Sequence, residues 1–417
     1  MLFTYAAIDY YLKDKGLLGF LITQEVFKSK GAGEGFRRFQ LGTENKSIYF
    51  KVLKAHDFAS VQPFEGATNK TAAIIVRKNE KTEYPVSYSV WTRKKGIGKI
   101  PTDSTLDGAI KRLNKEKNKA KPIGKLTDSW QTLSDKDIQL TGIKGLNAYR
   151  ARRGASTEPY GVYQLSVEDV YSDGSILVQN LFDNGKRKIP SVKEIIESDL
   201  VFPAVRGSDI KKWNAIPGIQ LLMSQDPSKM EPYPESQMKK EWPRTYGYLV
   251  RFKDILLSRG SNTIRKLAER TAFYAMFGIG SYTVAPYKVI WKRMSNDITA
   301  AVISEYKTVY GYKKVIPTDT TALIACQKES EAHFICAILN SLIVRQFIKS
   351  YSSAGRGFGA PSVMNHLAIP QYDEKKKLHT DLVDLSKRLH SFKGKGDESE
   401  IMGLEKNVEL LTEKLFS

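Results

Sequence analysis

The chain has 417 residues, 41% hydrophobic and 26% charged, enough for two or three domains with a sizeable core. Its 65 Lys and Arg against 45 Asp and Glu leave a formal charge of +20, which favours a polyanionic partner, with nucleic acid ahead of an anionic membrane. Two cysteines and five scattered histidines exclude a disulfide framework and zinc or thiol chemistry, and no apolar run approaches the roughly 20 residues of a membrane span.

The first residues lack the pattern of a secretory leader, so the expected location is the cytoplasm. Residues 4–15 read as a helix and Leu17 to Thr23 as a buried strand, one step of a doubly wound α/β sheet. Glu34 to Gln40 reads as a further helix, while SIYFKVL and Thr71 to Lys78 read as strands. A sheet of these pieces alone leaves a long unpaired apolar edge, the mark of an incomplete domain that another chain covers. Between the last two strands Phe64 sits on a Pro-Phe-Glu-Gly turn, and two readings stay open: a ring capping the sheet end, or a ring presented to a ligand.

From Thr82 to Asn147 the chain turns basic and polar, and DGAIKRLNKEKNKAKPIGKL reads as a solvated linker, with phosphate contact as the minority reading. Arg152, Arg153 and Gly154 then precede a Thr-Glu-Pro turn, followed by strands at Val162 to Val167 and Ser175 to Asn180. The segment 195–213 leaves a helical stretch and delivers Arg206-Gly207 at a tight turn, with Lys211 and Lys212 just beyond. Residues 244–259 read as helix-rich, and the aromatic and glycine-interleaved run from Phe273 as a strand pair. A strand at Thr321 to Ala325 leads into a long helix, Glu331 to Tyr351, that carries Arg345. Its successor SSAGRGFGAPSVMNHLAIP offers glycines for close backbone approach, Arg356 as a forked donor and Phe358; it is either a ligand-contacting loop or an ordinary connector. Leucine stripes from Leu378 and from Ile401 end the chain as a helical hairpin.

Five ordered blocks, GLLGFLITQEVFKSKGAGEGFRR, FASVQPFEGATNKTAAIIVRK with YPVSYSVW, ARRGASTEPYGVYQL, ESDLVFPAVRGSDIKKW and RGFGAPSVMNHLAIP, together resemble the adenine-N6 DNA methyltransferases with a TaqI-like C-terminal specificity domain, including fused type IIG restriction-modification enzymes. The resemblance covers nearly the whole chain. It implies the C-terminal half of a Rossmann-like methyltransferase sheet (residues 1–95), a basic connector (96–147), a mixed α+β target recognition domain (148–372) and a helical hairpin (373–417). It further implies that Phe64 stacks on an adenine rotated out of double-stranded DNA, and that Arg152, Arg153, Arg206, Lys211, Arg345, Arg356 and Phe358 contact DNA.

Two family features are missing. There is no glycine-rich turn after a first strand to hold S-adenosylmethionine, and no Asn/Asp-Pro-Pro-Tyr/Phe loop to hold the adenine amino group; the lone Asp226-Pro227 is followed by serine. The expectation is therefore a chain that binds no cofactor and no metal itself, and that needs an N-terminal methyltransferase chain for methyl transfer. The rival expectation is a non-catalytic, sequence-specific DNA-binding specificity subunit.

Overall fold

The computed structural model describes residues 1–29, 32–42, 47–64, 66, 69–134, 142–352, 357–392 and 397–417. They form two compact units, Met1–Gly142 with Gln346–Ser353, and Ile143–Arg345 with Ala354–Ser417.

The first unit is built on a seven-stranded sheet. Its elements are α1 (Leu2–Ala6), β1 (Leu17–Thr23), α2 (Glu25–Lys28), α3 (Ala32–Phe36), β2 (Gln40–Leu41), β3 (Ile48–Asp57), β4 (Thr71–Lys78), β5 (Val86–Arg93), α4 (Leu106–Lys111), β6 (Leu113–Pro122) and β7 (Trp130–Leu133). The order is β1-β4-β3-β5-β6-β7, with β2 beside β3. Because β4 runs antiparallel to both β1 and β3, those two are parallel to each other; β3 and β5 are parallel as well.

Alternation along each strand divides the sheet into two unlike faces. On one, Ile22, Phe50, Val52, Ile74, Val76, Tyr88 and Ala120 join Ile8, Val26, Phe27 and Phe36 of the helical segments in a single core. Burying one such side chain contributes about 1.5–3 kcal/mol, so this face fixes the register. The other face follows from the pairing of Ser87 with Lys119, Ser89 with Lys117, Trp91 with Lys115 and Arg93 with Leu113. It continues through Lys54 and His56 on β3 and through Ile75 and Ala73 on β4, to Gly19 and Leu21 on β1.

Leu17–Thr23 is a strand with the expected bounds, but it is an edge strand whose odd residues are exposed, not a buried one. The supposed linker is β6, a ten-residue strand paired along its length with β5; only Ala120 of its side chains is buried, which is why it carries no apolar signal. Gln40 lies in a strand and not at the end of a helix.

The second unit holds a six-stranded and a four-stranded sheet. The six-stranded order is 193–197, 175–180, 164–170, 219–222, 201–205, 316–317, and the four-stranded order is 300–303, 287–292, 321–326, 151–153. The helix Glu329–Asn340 is buried over most of its length against the smaller sheet and the helix Lys377–Ser391, which packs in turn on Glu398–Phe416. Lys193–Glu197, expected to close a helical stretch, is a strand, and the run from Phe273 forms buried irregular chain before the strand Tyr287–Lys292. The expected helix 331–351 is two helices. Its break is Ser341, which adopts extended backbone, while Asn340 exchanges side-chain hydrogen bonds with the backbone of Ala300 at 2.8 and 2.9 Å. Among the described residues no single helix is long and apolar enough to cross a membrane.

Candidate functional site

Two places bring the singled-out residues into play, one in each unit. In the first unit, the chain leaves β3 through Phe58, turns at Val61-Gln62 and carries Phe64 outward, half exposed at 50%. This connection lies beyond the carboxyl end of β3, and β5 ends beside it, the side of an open α/β sheet where ligands bind. Phe64 borders a cleft of about 490 Å3 together with Phe58, Pro63, Arg93, Ile100, Thr102 and Leu113. The floor is stiff: the Phe58 ring stacks near Trp91 and His56 at 6.0 and 6.1 Å, and the Trp91 indole N–H donates to His56 Nδ1 at 3.0 Å. Burial first, then Lys54 and Lys115, hold the His56 imidazole below its usual range, so it accepts that bond as the neutral ring. Arg93 is exposed and meets no carboxylate among the described residues. An aromatic wall, an apolar floor and a free guanidinium can hold a flat heterocycle with a phosphate attached.

Behind that wall Asp57 is buried, accepting from Tyr88 Oη at 2.7 Å, Gln24 Nε2 at 3.1 Å and the Ala59 amide at 2.9 Å. Burial, followed by the adjacent carboxylate, raises the Tyr88 phenol well above its ordinary range, so it stays a donor. The group fixes where β3 ends and hence where the Phe64 turn starts.

In the second unit, stretches far apart in sequence converge on the turn Thr318-Asp319-Thr320. Arg153 Nη2 donates to Asp319 at 3.0 Å, and Tyr160 Oη reaches the same carboxylate at 3.2 Å. The Gly207 amide donates to Thr320 Oγ1 at 2.9 Å, the Arg293 amide to the Thr320 carbonyl at 3.0 Å, and the Gly359 amide to the Arg293 carbonyl at 3.0 Å. Two glycines are required by contact: a Cβ on Gly154 would stand 2.1 Å from the Thr318 carbonyl oxygen, and one on Gly359 would stand 2.0 Å from that of Lys292. Arg293 is crowded, with one guanidinium nitrogen on the Asp319 carbonyl and Nε buried without a partner. Burial, and after it the charge of Arg153, lower its proton affinity.

The remaining candidates divide. Arg152 leaves the other side of its strand and lies over the Tyr282 ring at 5.3 Å. The Arg206 guanidinium is held by Asp209 at 3.1 and 3.2 Å, and that carboxylate also accepts from the Arg206 amide. Arg345 is gripped through two nitrogens by Asp297, one of them at 3.0 Å. Its fork is therefore taken by a carboxylate of its own unit. Lys211 is exposed, with no carboxylate partner among the described residues. Phe358 is corrected: at 1% exposure it anchors its loop from within and cannot meet a base. Arg356 lies outside the described residues. Asp319 and the lysines of β6 were not singled out from the sequence; Asp319 is 166 residues from Arg153, whereas the lysines had a readable period of two.

No protein-family model matches the chain. A curated relative, the type II methyltransferase M.NspV of Nostoc sp. (strain ATCC 29411 / PCC 7524), is 26% identical over 179 residues, 42% of this chain and 33% of that protein. Among solved structures, the type IIL restriction-modification enzyme MmeI, determined in complex with DNA, superposes over 99% of this chain and 48% of its own, with a TM-score of 0.54 at 10% identity. The type IIG restriction endonuclease BpuSI is looser, with a TM-score of 0.32 at 14% identity over 97% of this chain and 47% of its own. The chain thus resembles a type II methyltransferase weakly in sequence and a restriction-modification enzyme in fold, and spans about a third to a half of their lengths.

Proposed function

We propose that the chain supplies target recognition and the base-flipping wall of a site-specific adenine-N6 DNA methyltransferase, of type IIG character, in a restriction-modification or phage-defence system. The observation that carries this reading is Phe64, half exposed on the rim of a cleft beyond the strand ends. A base rotated out of duplex DNA loses stacking worth a few kcal/mol, and an aromatic face offsets about 1–3 kcal/mol of that. The order β1-β4-β3, with an antiparallel strand between two parallel ones, fits the terminal half of the sheet that the resemblance implies.

Among the described residues, the first strand-to-helix turn offers S-adenosylmethionine no glycine cradle. The turn from β1 into α2 is Thr23-Gln24, which has no glycine, and the Gln24 amide is tied to Asp57. The glycines at Gly278 and Gly280 stand in irregular chain of the second unit. The cofactor pocket and the amino-group clamp would come from an N-terminal methyltransferase partner. That partner would cover the β1 edge, where Leu17 and Leu21 are exposed at 58% and 55%, with Leu2, Phe3, Tyr10 and Tyr11 more exposed still.

The chain alone should bind duplex DNA and show no S-adenosylmethionine binding by calorimetry; micromolar binding of the cofactor refutes the divided arrangement. In the reconstituted complex, Phe64→Ala should lower methylation by 10-fold or more, on the scale of one lost stack. Unchanged methylation would remove the stacking role and favour a non-catalytic specificity subunit.

A further inference from the structure

The open face of the first unit's sheet carries a feature that base stacking does not use. Lys115, Lys117, Lys119 and Lys121 occupy alternate positions of β6, so all project from the same face, and all are exposed. Alternate residues of a strand are about 6.8 Å apart, so the row is about 20 Å long. Among the described residues none of the four meets a carboxylate. The acidic residue of the strand, Glu116, falls on the opposite side, across from Val90.

The row begins at the cleft. Leu113, two positions before Lys115, lines it and pairs with Arg93, which lines it too. Lys115 lies 5.0 Å over the Trp91 ring, next to the Phe58 and His56 stack at the cleft floor. Lys54 on β3 adds a cation to the same face, and the lowered proton affinity of His56 registers both Lys54 and Lys115. Among the described residues, cations thus run from Arg93 at the cleft through Lys115 to Lys121 on β6.

We propose that Arg93 and the β6 lysines form a track for the phosphate backbone of duplex DNA flanking the flipped nucleotide, over about six base pairs at 3.4 Å each. This rests on the DNA-binding reading above. Lysine is suited to the task as a mobile point charge: it neutralises phosphates without selecting bases. A folded acidic protein is the competing occupant. The regular spacing, the absence of apolar side chains in the row and its start at a nucleotide-sized cleft favour a linear polyanion.

The test measures affinity for a fluorescein-labelled 24-base-pair duplex by anisotropy between 50 and 200 mM salt. It compares the full chain with the variant Lys115→Gln, Lys117→Gln, Lys119→Gln, Lys121→Gln. Loss of four phosphate contacts should flatten the slope of log K against log salt by about 3.6, so that the wild type loses about 150-fold more affinity than the variant across that range. The matching Lys→Arg set should restore the slope, and replacing Lys375, Lys376 and Lys377 by glutamine should leave it alone. An unchanged slope in the β6 variant, with duplex binding retained, overturns the track and leaves the DNA reading standing. Failure of the wild type to bind duplex at 50 mM salt overturns both. A loss seen toward polyglutamate but not toward duplex overturns it in favour of an acidic protein.

Discussion

The conspicuous arginines of the second unit and the open-face cations of the first are used in opposite ways. In the second, Arg153 answers Asp319, Arg206 answers Asp209 and Arg345 answers Asp297, so the charges that stand out in the sequence are largely spent on holding chain together. In the first, Arg93 and the β6 lysines face solvent and meet no carboxylate among the described residues. A paired cation lends geometry, whereas an unpaired one lends affinity to whatever anion arrives. Arginine in a conspicuous motif is therefore weaker guidance to a binding surface than lysine in an inconspicuous strand.

That contrast can be broken in several ways. The largest effect should come from acid. In the second unit His390 donates through Nδ1 to the Ser386 carbonyl at 2.7 Å and accepts the Val302 amide at 3.0 Å through Nε2, and its ring lies 4.7 Å from that of His333. Burial lowers His390 to about 4 and His333 to about 3. Unfolded histidine takes its proton near 6.5, so the unfolded chain binds protons first. Stability is then full above pH 6.5 and falls as pH drops toward 4, by on the order of 3 kcal/mol for each ring. Thermal midpoints at pH 7.5, 6, 5 and 4 measure this, and His390→Gln should flatten the profile.

Next, Asp319→Ala should cost about 2 kcal/mol, because Arg153, Tyr160 and the crowded Arg293 would lose their shared acceptor or its setting. Denaturant melts report it. Gly359→Ala should cost about 1–3 kcal/mol, since the new methyl group meets backbone rather than a movable side chain. At the small end, Arg93→Gln should leave folding stability within about 0.5 kcal/mol of wild type in denaturant melts while weakening duplex binding several-fold. A large stability loss there, or a stable Asp319→Ala variant, would erase the contrast between the units.

Regular alternation made part of this legible. Leu17–Thr23, Thr71–Lys78 and Ser175–Asn180 are apolar enough on one face to be read without a partner. Phe64 could be placed on a turn because proline and glycine bracket it. β6 escaped, since a strand whose inward side chains are nearly all polar is made by pairing with β5, and pairing is not local information. The same reason hid the quenching of Arg153 and the break at Ser341, whose neighbour Asn340 is captured from 40 residues away. For Phe358 the composition was read correctly and the direction was not: flanking glycines free a backbone, but a ring between them still turns inward when a core is within reach.

On the proposed DNA-binding reading, the even pitch of the lysines on β6 also bears on how a target is found. A ladder of identical charges presents the same potential each time a duplex advances along it, so neighbouring registers are nearly equal in energy. Contacts of that kind carry no sequence information and let a protein slide. On this reading β6 serves the search and Phe64 the arrest: one-dimensional travel continues until a base leaves the stack and finds the ring.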